Sequence, residues 1–201
     1  ASLASLTDEQ LVSAYRAGQD RAFELLVERY RTELVQFLIR FVGQRSSAED
    51  LFQDTFLQVH QSLHTFDSQK RFKPWLFTIA ANKARDHLRK YSRRQASAAI
   101  STVADDNDEP GGRAIIDLLE ANLPLPPENV EGQETRQRVR QTIEALPTHL
   151  REVLLLAYFN QFSYKEIASM LHVPLGTVKS RLHAAVGTFA ELWKQHEASG
   201  Q

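Results

Sequence analysis

Apolar positions recur every three or four residues through both ends of the chain, and that period predicts helices. Thr7-Asp8-Glu9-Gln10 has the form of a capping box, with Leu11, Val12 and Tyr15 following at helical spacing. Phe23, Leu26, Val27, Tyr30, Leu34, Phe37, Leu38 and Phe41 draw one stripe, which predicts a helix from Arg21 to Phe41 closed by Gly43. Ser46-Ser47-Ala48-Glu49-Asp50 predicts a third helix, with serine as cap and acids in the first turn. It carries Leu51, Phe52, Phe56 and Val59 and fades near Thr65. A fourth helix is expected from Trp75 to Arg94, with Pro74 in its first turn.

The pattern then stops. Asp105-Asp106-Asn107-Asp108-Glu109-Pro110-Gly111-Gly112 is charged, aperiodic and rich in helix breakers, and Pro124, Pro126 and Pro127 punctuate the stretch beyond it. Residues 96–135 are therefore expected to form a linker, extended or disordered when free. Ile115, Ile116, Leu118 and Leu119 form an apolar island in it, either a short packed helix or a docking segment. Helical spacing resumes with Val139, Ile143 and Leu146, closed by Pro147, and then with Leu150, Val153, Leu154 and Ala157. Ser163-Tyr164-Lys165-Glu166 is a second capping box, ahead of Ile167, Ala168 and Leu171. Val173-Pro174-Leu175-Gly176 is expected to be a turn, and Thr177 to open a last helix with Val178, Leu182, Val186, Phe189 and Leu192. With no strand pattern, the expected fold is all-α: two small helical domains over 1–95 and 136–201, joined by an acidic flexible linker, the second with a helix-turn-helix.

Charge sharpens this division. The net charge of −1 hides fifteen Lys/Arg against eleven Asp/Glu over 1–95, one against nine over 96–135, and eight against five over 136–201. Two basic bodies on an acidic tether suit polyanion binding better than the total suggests. Hydrophobic residues at 42% of 201 are enough for two small cores. The absence of cysteine excludes disulfides, thiolate catalysis and Cys-rich zinc sites, and suits a reducing, cytoplasmic setting. No run of eighteen apolar residues predicts membrane insertion, and no secretory signal opens the chain. The chain starts at Ala1 and its only methionine is Met170, so a trimmed or replaced start is expected.

Ser163–Ala185 carries the most specific local pattern. A short capped helix, a tight turn and a helix with one polar face form the arrangement that places a second helix in the major groove. Val178 and Leu182 are expected to face inward, leaving Thr177, Lys179, Ser180 and His183 outward. Lys179 can donate to guanine acceptors and Ser180 to several bases. Thr177 and the first backbone N–H groups can hold a phosphate, and Arg181 lies to one side, toward the DNA backbone. The plainer alternative is a helical hairpin with a solvated polar face.

Between Phe66 and Arg94 nine Lys/Arg face two acids, Asp67 and Asp86, interleaved with Phe66, Phe72, Trp75, Phe77 and Tyr91. Cations that neutralise phosphate beside aromatic faces that stack on bases suit single-stranded or opening DNA. Asn82, Arg85, Asp86, Arg89 and Lys90 fall along one side, where Asn82 and Asp86 could read the Watson–Crick edge of an extruded base. Trp75, Leu76, Ile79 and Ala80 are expected in the core, Trp75 with an exposed edge.

In this order the segments resemble the extracytoplasmic-function sigma factors, the small members of the sigma-70 class. Ser47-Ala48-Glu49-Asp50-Leu51-Phe52-Gln53-Asp54-Thr55-Phe56-Leu57 resembles their polymerase-binding helix, A-E-D-L-x-Q-[DE]-x-F. Phe72-Lys73-Pro74-Trp75-Leu76-Phe77-Thr78-Ile79-Ala80-Ala81-Asn82 resembles the promoter-melting motif, F-x-x-W-L-[YF]-x-I-A-x-N. Ala145-Leu146-Pro147 through Leu154, Ser163-Tyr164-Lys165-Glu166-Ile167-Ala168 and Gly176-Thr177-Val178-Lys179-Ser180-Arg181-Leu182 resemble the C-terminal promoter domain. The resemblance implies a face for bacterial core RNA polymerase at Asp50, Leu51, Gln53, Asp54, Phe56 and Leu57, while Leu51 and Phe56 also read as core residues and at least one of them is expected there. It implies minus-ten promoter DNA at Lys70, Arg71, Phe72, Lys73, Trp75, Asn82, Arg85, Asp86, Arg89 and Lys90, with residues 63–73 looped around a flipped base. It implies minus-thirty-five DNA at Ser163, Tyr164, Lys165, Gly176, Thr177, Lys179, Ser180, Arg181 and His183. The acidic linker would thread toward the basic active-site channel of the polymerase, and an anti-sigma factor is implied as a further partner. Two departures stand out. Ala184-Ala185-Val186 follows His183 where the family commonly has Arg-Ala-Arg, and Asp86 is acidic where the family is often polar or basic.

Two other classes compete. A response-regulator-like activator can also carry S-x-K-E-I-A and T-V-K, but it normally brings an α/β receiver, for which residues 1–95 show no strand pattern. A metal-dependent nuclease or hydrolase could use His60 and His64, one helical turn apart, with Glu49, Asp50 and Asp54. No H-E-x-x-H pattern supports it, and neither a nucleophile triad, a P-loop nor a dinucleotide fingerprint is present, so neither catalytic residue, metal nor cofactor is expected.

Overall fold

A computed structural model describes residues 3–98 and 130–199. The described residues are helical with no strand, so the α/β receiver of the competing class is not found among them. The chain divides into two compact units, 1–88 and 89–201. Most of the expected linker, including the apolar island at Ile115–Leu119, lies outside the described residues.

In the first unit α1 (Asp8–Arg16) starts at the expected box. The Gln10 N–H donates to Thr7 Oγ1 at 3.3 Å, and Gln10 Oε1 accepts from the Thr7 N–H at 2.9 Å. The helix buries Leu11 and Val12. α2 (Asp20–Val42) buries Ala22, Leu26, Tyr30, Leu34, Phe37, Leu38 and Phe41, while Phe23 and Val27 stand half-buried at the margin of the stripe. It ends at Gly43, whose φ of +83° is left-handed backbone that suits glycine.

Only Gln44 separates that turn from α3 (Arg45–Ser62), so neither Ser46 nor Ser47 is the cap; Gln44 occupies that position without a side-chain cap bond. The corner is tight enough to set the start of α3 by geometry instead of by a capping side chain. α3 packs on α2 through Leu51, Phe52, Phe56 and Val59, and a single 3₁₀ turn, Leu63–Thr65, follows it. α4 (Phe72–Ala98) starts three residues before the expected Trp75, and Pro74 sits in its first turn, where its missing N–H costs nothing. Phe37 stands 5.2 Å from Phe77 and 5.6 Å from Phe41, edge-on in both cases, which ties α4 to α2.

In the second unit α5 (Val130–Ala145) starts inside the stretch expected as linker, because its first turns are polar and offered no apolar period to read. α6 (Thr148–Leu154) follows Pro147 and runs into one wide π turn, Leu155–Phe159. The Arg151 side chain, 8% exposed, donates to the carbonyls of Glu144 and Leu146, closing the end of α5 across the proline corner. α7 (Tyr164–Leu171) and α8 (Leu175–Ser199) complete the unit, and α8 packs on α5, α6 and α7. Ile143, Val153, Leu155, Ile167, Val178 and Leu182 form the centre of this core, each worth about 1.5–3 kcal/mol when fully buried.

Candidate functional site

The helix-turn-helix is α7, the turn and α8. Ser163 caps α7 reciprocally: its hydroxyl accepts the Glu166 N–H at 3.3 Å, and its own N–H donates to Glu166 Oε2 at 2.9 Å. The same hydroxyl donates to Glu166 Oε2 at 2.8 Å, so Ser163, expected at the DNA, is engaged in holding the helix. The turn is shorter than expected. His172 takes the left-handed conformation, φ +55°, and returns its N–H to Ala168, so α8 starts at Leu175 instead of Thr177. A histidine in that conformation carries no sequence signature, whereas a glycine would have.

Val178 and Leu182 are 0% and 1% exposed, which fixes the roll of α8. Gly176, Lys179 and Ser180 are left exposed, with Thr177, Arg181 and His183 half-buried beside them. A side chain at Gly176 would meet nothing within 4 Å, so that face is open. The Ser180 hydroxyl donates to the Thr177 carbonyl at 3.1 Å. Lys165 is exposed on α7, and Tyr164 half-buried.

On α3 the expected partner residues separate cleanly. Leu51 and Phe56 are each 6% exposed and belong to the core, whereas Asp50, Gln53, Asp54 and Leu57 line the outer face at helical spacing. Leu57 is 57% exposed, an uncovered leucine among acids and an amide. His60 does not pair with His64; its ring lies 5.8 Å from Tyr15 and 5.3 Å from Phe23. Among the described residues no group of three His, Cys, Asp or Glu side chains could hold a metal.

At the start of α4 the expected DNA residues also divide. Phe72 is 0% exposed, packed 5.9 Å from Phe66 and 5.8 Å from Tyr30 and Trp75. It offers no surface to DNA here and instead supports the loop from below. Trp75 is half-buried, 4.9 Å from Phe66, as core with an edge. Lys70 and Arg71 are exposed, and Lys73 pairs with Glu33 at 2.7 Å. Asn82 is exposed and accepts a hydrogen bond from Arg85; Asp86, Arg89 and Lys90 are exposed beyond it.

Two residues to which no motif gave this role hold the loop. Arg16 donates to the Leu63 carbonyl through Nε at 3.1 Å and Nη2 at 2.6 Å, and to the Phe66 carbonyl. Glu9 Oε1 accepts the Phe72 N–H at 2.9 Å. Their partners lie about fifty residues or more away in sequence, beyond the reach of any local pattern. Arg71 and Lys73 also open on a cavity of about 370 Å³ walled by Asp8, Glu9, Arg29 and Tyr30.

Residues 26–94 match sigma-70 region 2, and residues 136–188 match sigma-70 region 4. Over 181 residues the chain is 35% identical to the ECF RNA polymerase sigma-E factor of Escherichia coli K12, spanning 90% of this chain and 91% of that one. The chain belongs to the ECF sigma factors of the sigma-70 family. It is thus an RNA polymerase sigma factor, a DNA-binding protein of transcription initiation. This sigma factor is also 34% identical to the RNA polymerase sigma-H factor of Pseudomonas aeruginosa over 89% of each chain. Its fold is shared with CnrH in complex with the cytosolic domain of CnrY, at 25% identity and a TM-score of 0.66 over 94% of this chain and 97% of that one. It is shared too with the sigma factor RpoE in complex with the anti-sigma factor NepR from Bartonella quintana, at 26% identity and a TM-score of 0.60 over 85% and 93%.

Proposed function

We propose that this sigma factor docks on core RNA polymerase through the outer face of α3 and directs initiation with two separate DNA-binding surfaces. The observation that carries the reading is the division of α3: Leu51 and Phe56 turned into the core, Asp50, Gln53, Asp54 and Leu57 turned out. An exposed leucine ringed by polar groups has the character of a partner surface. Residues 1–95 act on the minus-ten element. Lys70, Arg71 and Lys73 meet phosphate, while Asn82 and Asp86 stand beside an extruded base and Arg85, Arg89 and Lys90 continue the cationic side.

Residues 136–201 read the minus-thirty-five element as duplex. α8 enters the major groove with Gly176, Thr177, Lys179 and Ser180 foremost, Lys165, Arg181 and His183 lying toward the backbone. Residues 96–135, with nine acids and one arginine, are drawn toward the cationic channel of the polymerase. Two weak contacts on one tether then add as an effective concentration. The complex of the Bartonella relative with NepR supports an anti-sigma factor as a regulator of this chain as well.

In this reading the protein has no reaction of its own and lends specificity to the polymerase. It acts in the cytoplasm, and among the described residues no helix is long and apolar enough to cross a membrane. Run-off transcription with core polymerase over a promoter library tests the proposal: a discrete set of start sites is expected, and core-dependent transcription indistinguishable from core alone overturns it.

A further inference from the structure

One helix grips the loop between α3 and α4 at both ends. At the near end the Arg16 guanidinium holds the carbonyls of Leu63, the first residue of the 3₁₀ turn, and of Phe66, the residue just after it. At the far end Glu9 accepts the N–H of Phe72, the first residue of α4. Glu9 and Arg16 stand seven positions apart on α1, two turns, and so share one face. α1 is itself fixed: Leu11 and Val12 are 0% exposed, and Asp8 is held by Arg29 at 2.5 Å and by Tyr30. Between the two grips Asp67, Ser68, Gln69, Lys70 and Arg71 are all exposed, above a floor of Phe66, Phe72 and Trp75.

We propose that Glu9 and Arg16 are positioning residues for minus-ten recognition, α1 serving as a clasp that keeps the loop in the shape that receives an unpaired base. The inference rests on the assignment of that loop to the minus-ten element. A loop of this length, left to itself, samples many conformations, and ordering it on binding opposes affinity. Fixing both ends in the free protein removes much of that cost before DNA arrives. Charge-assisted bonds from a guanidinium to two carbonyls are among the stronger means available. Neither side chain needs to touch DNA.

The test uses full-length chains assembled with core polymerase. The probes are the non-template minus-ten strand, as a single-stranded oligonucleotide, and the minus-thirty-five duplex, both from a promoter that the wild-type holoenzyme selects out of a randomised library. Arg16→Ala is expected to bind the single strand about ten-fold more weakly, with core affinity and duplex affinity within about two-fold of wild type. Glu9→Ala moves the same way, and Glu9→Gln, which keeps an acceptor oxygen, recovers most of the loss. Arg21→Ala removes an exposed cation paired with Glu24 and Glu28 on α2 and is expected to match wild type. Unchanged single-strand binding in Arg16→Ala overturns the clasp. So does a loss shared by all three affinities in step with the melting temperature, or an equal loss in Arg21→Ala, which would make the effect one of charge alone. A wild-type chain that binds neither core nor the strand overturns the loop assignment, and the clasp with it.

Discussion

The Tyr30 hydroxyl donates to the carboxylate of Asp8, joining the middle of α2 to the first turn of α1. Burial first, and the bond to Asp8 second, raise the Tyr30 pKa far above its ordinary value of 10.0. The unfolded chain therefore releases this proton above about pH 10, while the folded unit keeps it. Stability from this group is fully present below that pH and falls away progressively from there up through the raised pKa of the folded state. Urea unfolding of the first unit is expected to show a decline from about pH 10 upward that Tyr30→Phe lacks. At neutral pH the same variant costs about 1 kcal/mol, for one hydrogen bond. Parallel alkaline declines in both chains would refute the assignment.

Reversing the acids of α3 separates a partner surface from a core. Asp50→Arg with Asp54→Arg is expected to weaken core-polymerase binding by about ten-fold or more. Both positions are exposed, so thermal stability should stay within about 0.5 kcal/mol. Phe56→Ala, 6% exposed, should instead cost about 3–5 kcal/mol before any binding is measured. Equilibrium competition for core polymerase, read beside melting curves, distinguishes the two effects.

Lys179 projects from the open side of α8, one turn beyond Leu175. Lys179→Ala is expected to relax base preference at a single minus-thirty-five position by about 1–3 kcal/mol, leaving core binding intact. Binding to a set of single-base variants of the duplex checks this. A uniform loss across all variants would assign the lysine to phosphate.

Ser163 offers a test of the support beneath that surface. Ser163→Ala removes the cap of α7 and should cost the second unit about 1 kcal/mol. The cost should appear in denaturant unfolding, with the same base preferences as wild type in duplex binding, because the hydroxyl is turned to Glu166.

Features legible in the chain are those whose partners lie close along it. The stripe from Leu26 to Phe41, the boxes at Thr7 and Ser163 and the stop at Gly43 are all written within a few residues of where they act. The loop is not legible in this way. Phe72 has an aromatic face fit for stacking, and only the arrival of Tyr30 and Phe66 shows it to be covered. The start of α4 depends on Glu9, sixty-three positions earlier. Arg16 resembles any surface arginine until the carbonyls of Leu63 and Phe66 are brought to it. The α3 face is half legible: its motif marks the segment, but Leu51 and Phe56 separate from Asp50 and Leu57 only once the roll of the helix is known.

The passage from α2 to α3 uses two residues, Gly43 and Gln44. An α-helix turns by about 100° with each residue, so a corner this short acts as a gauge. One amino acid added there would rotate the acidic side of α3 against its neighbour, either drowning Asp50 and Asp54 in the interior or lifting Phe52 and Phe56 into water. The letters of that corner can drift through evolution, given a residue content with left-handed backbone at 43. Its length cannot, and a one-codon insertion there should silence the factor more thoroughly than most substitutions on the surface it orients.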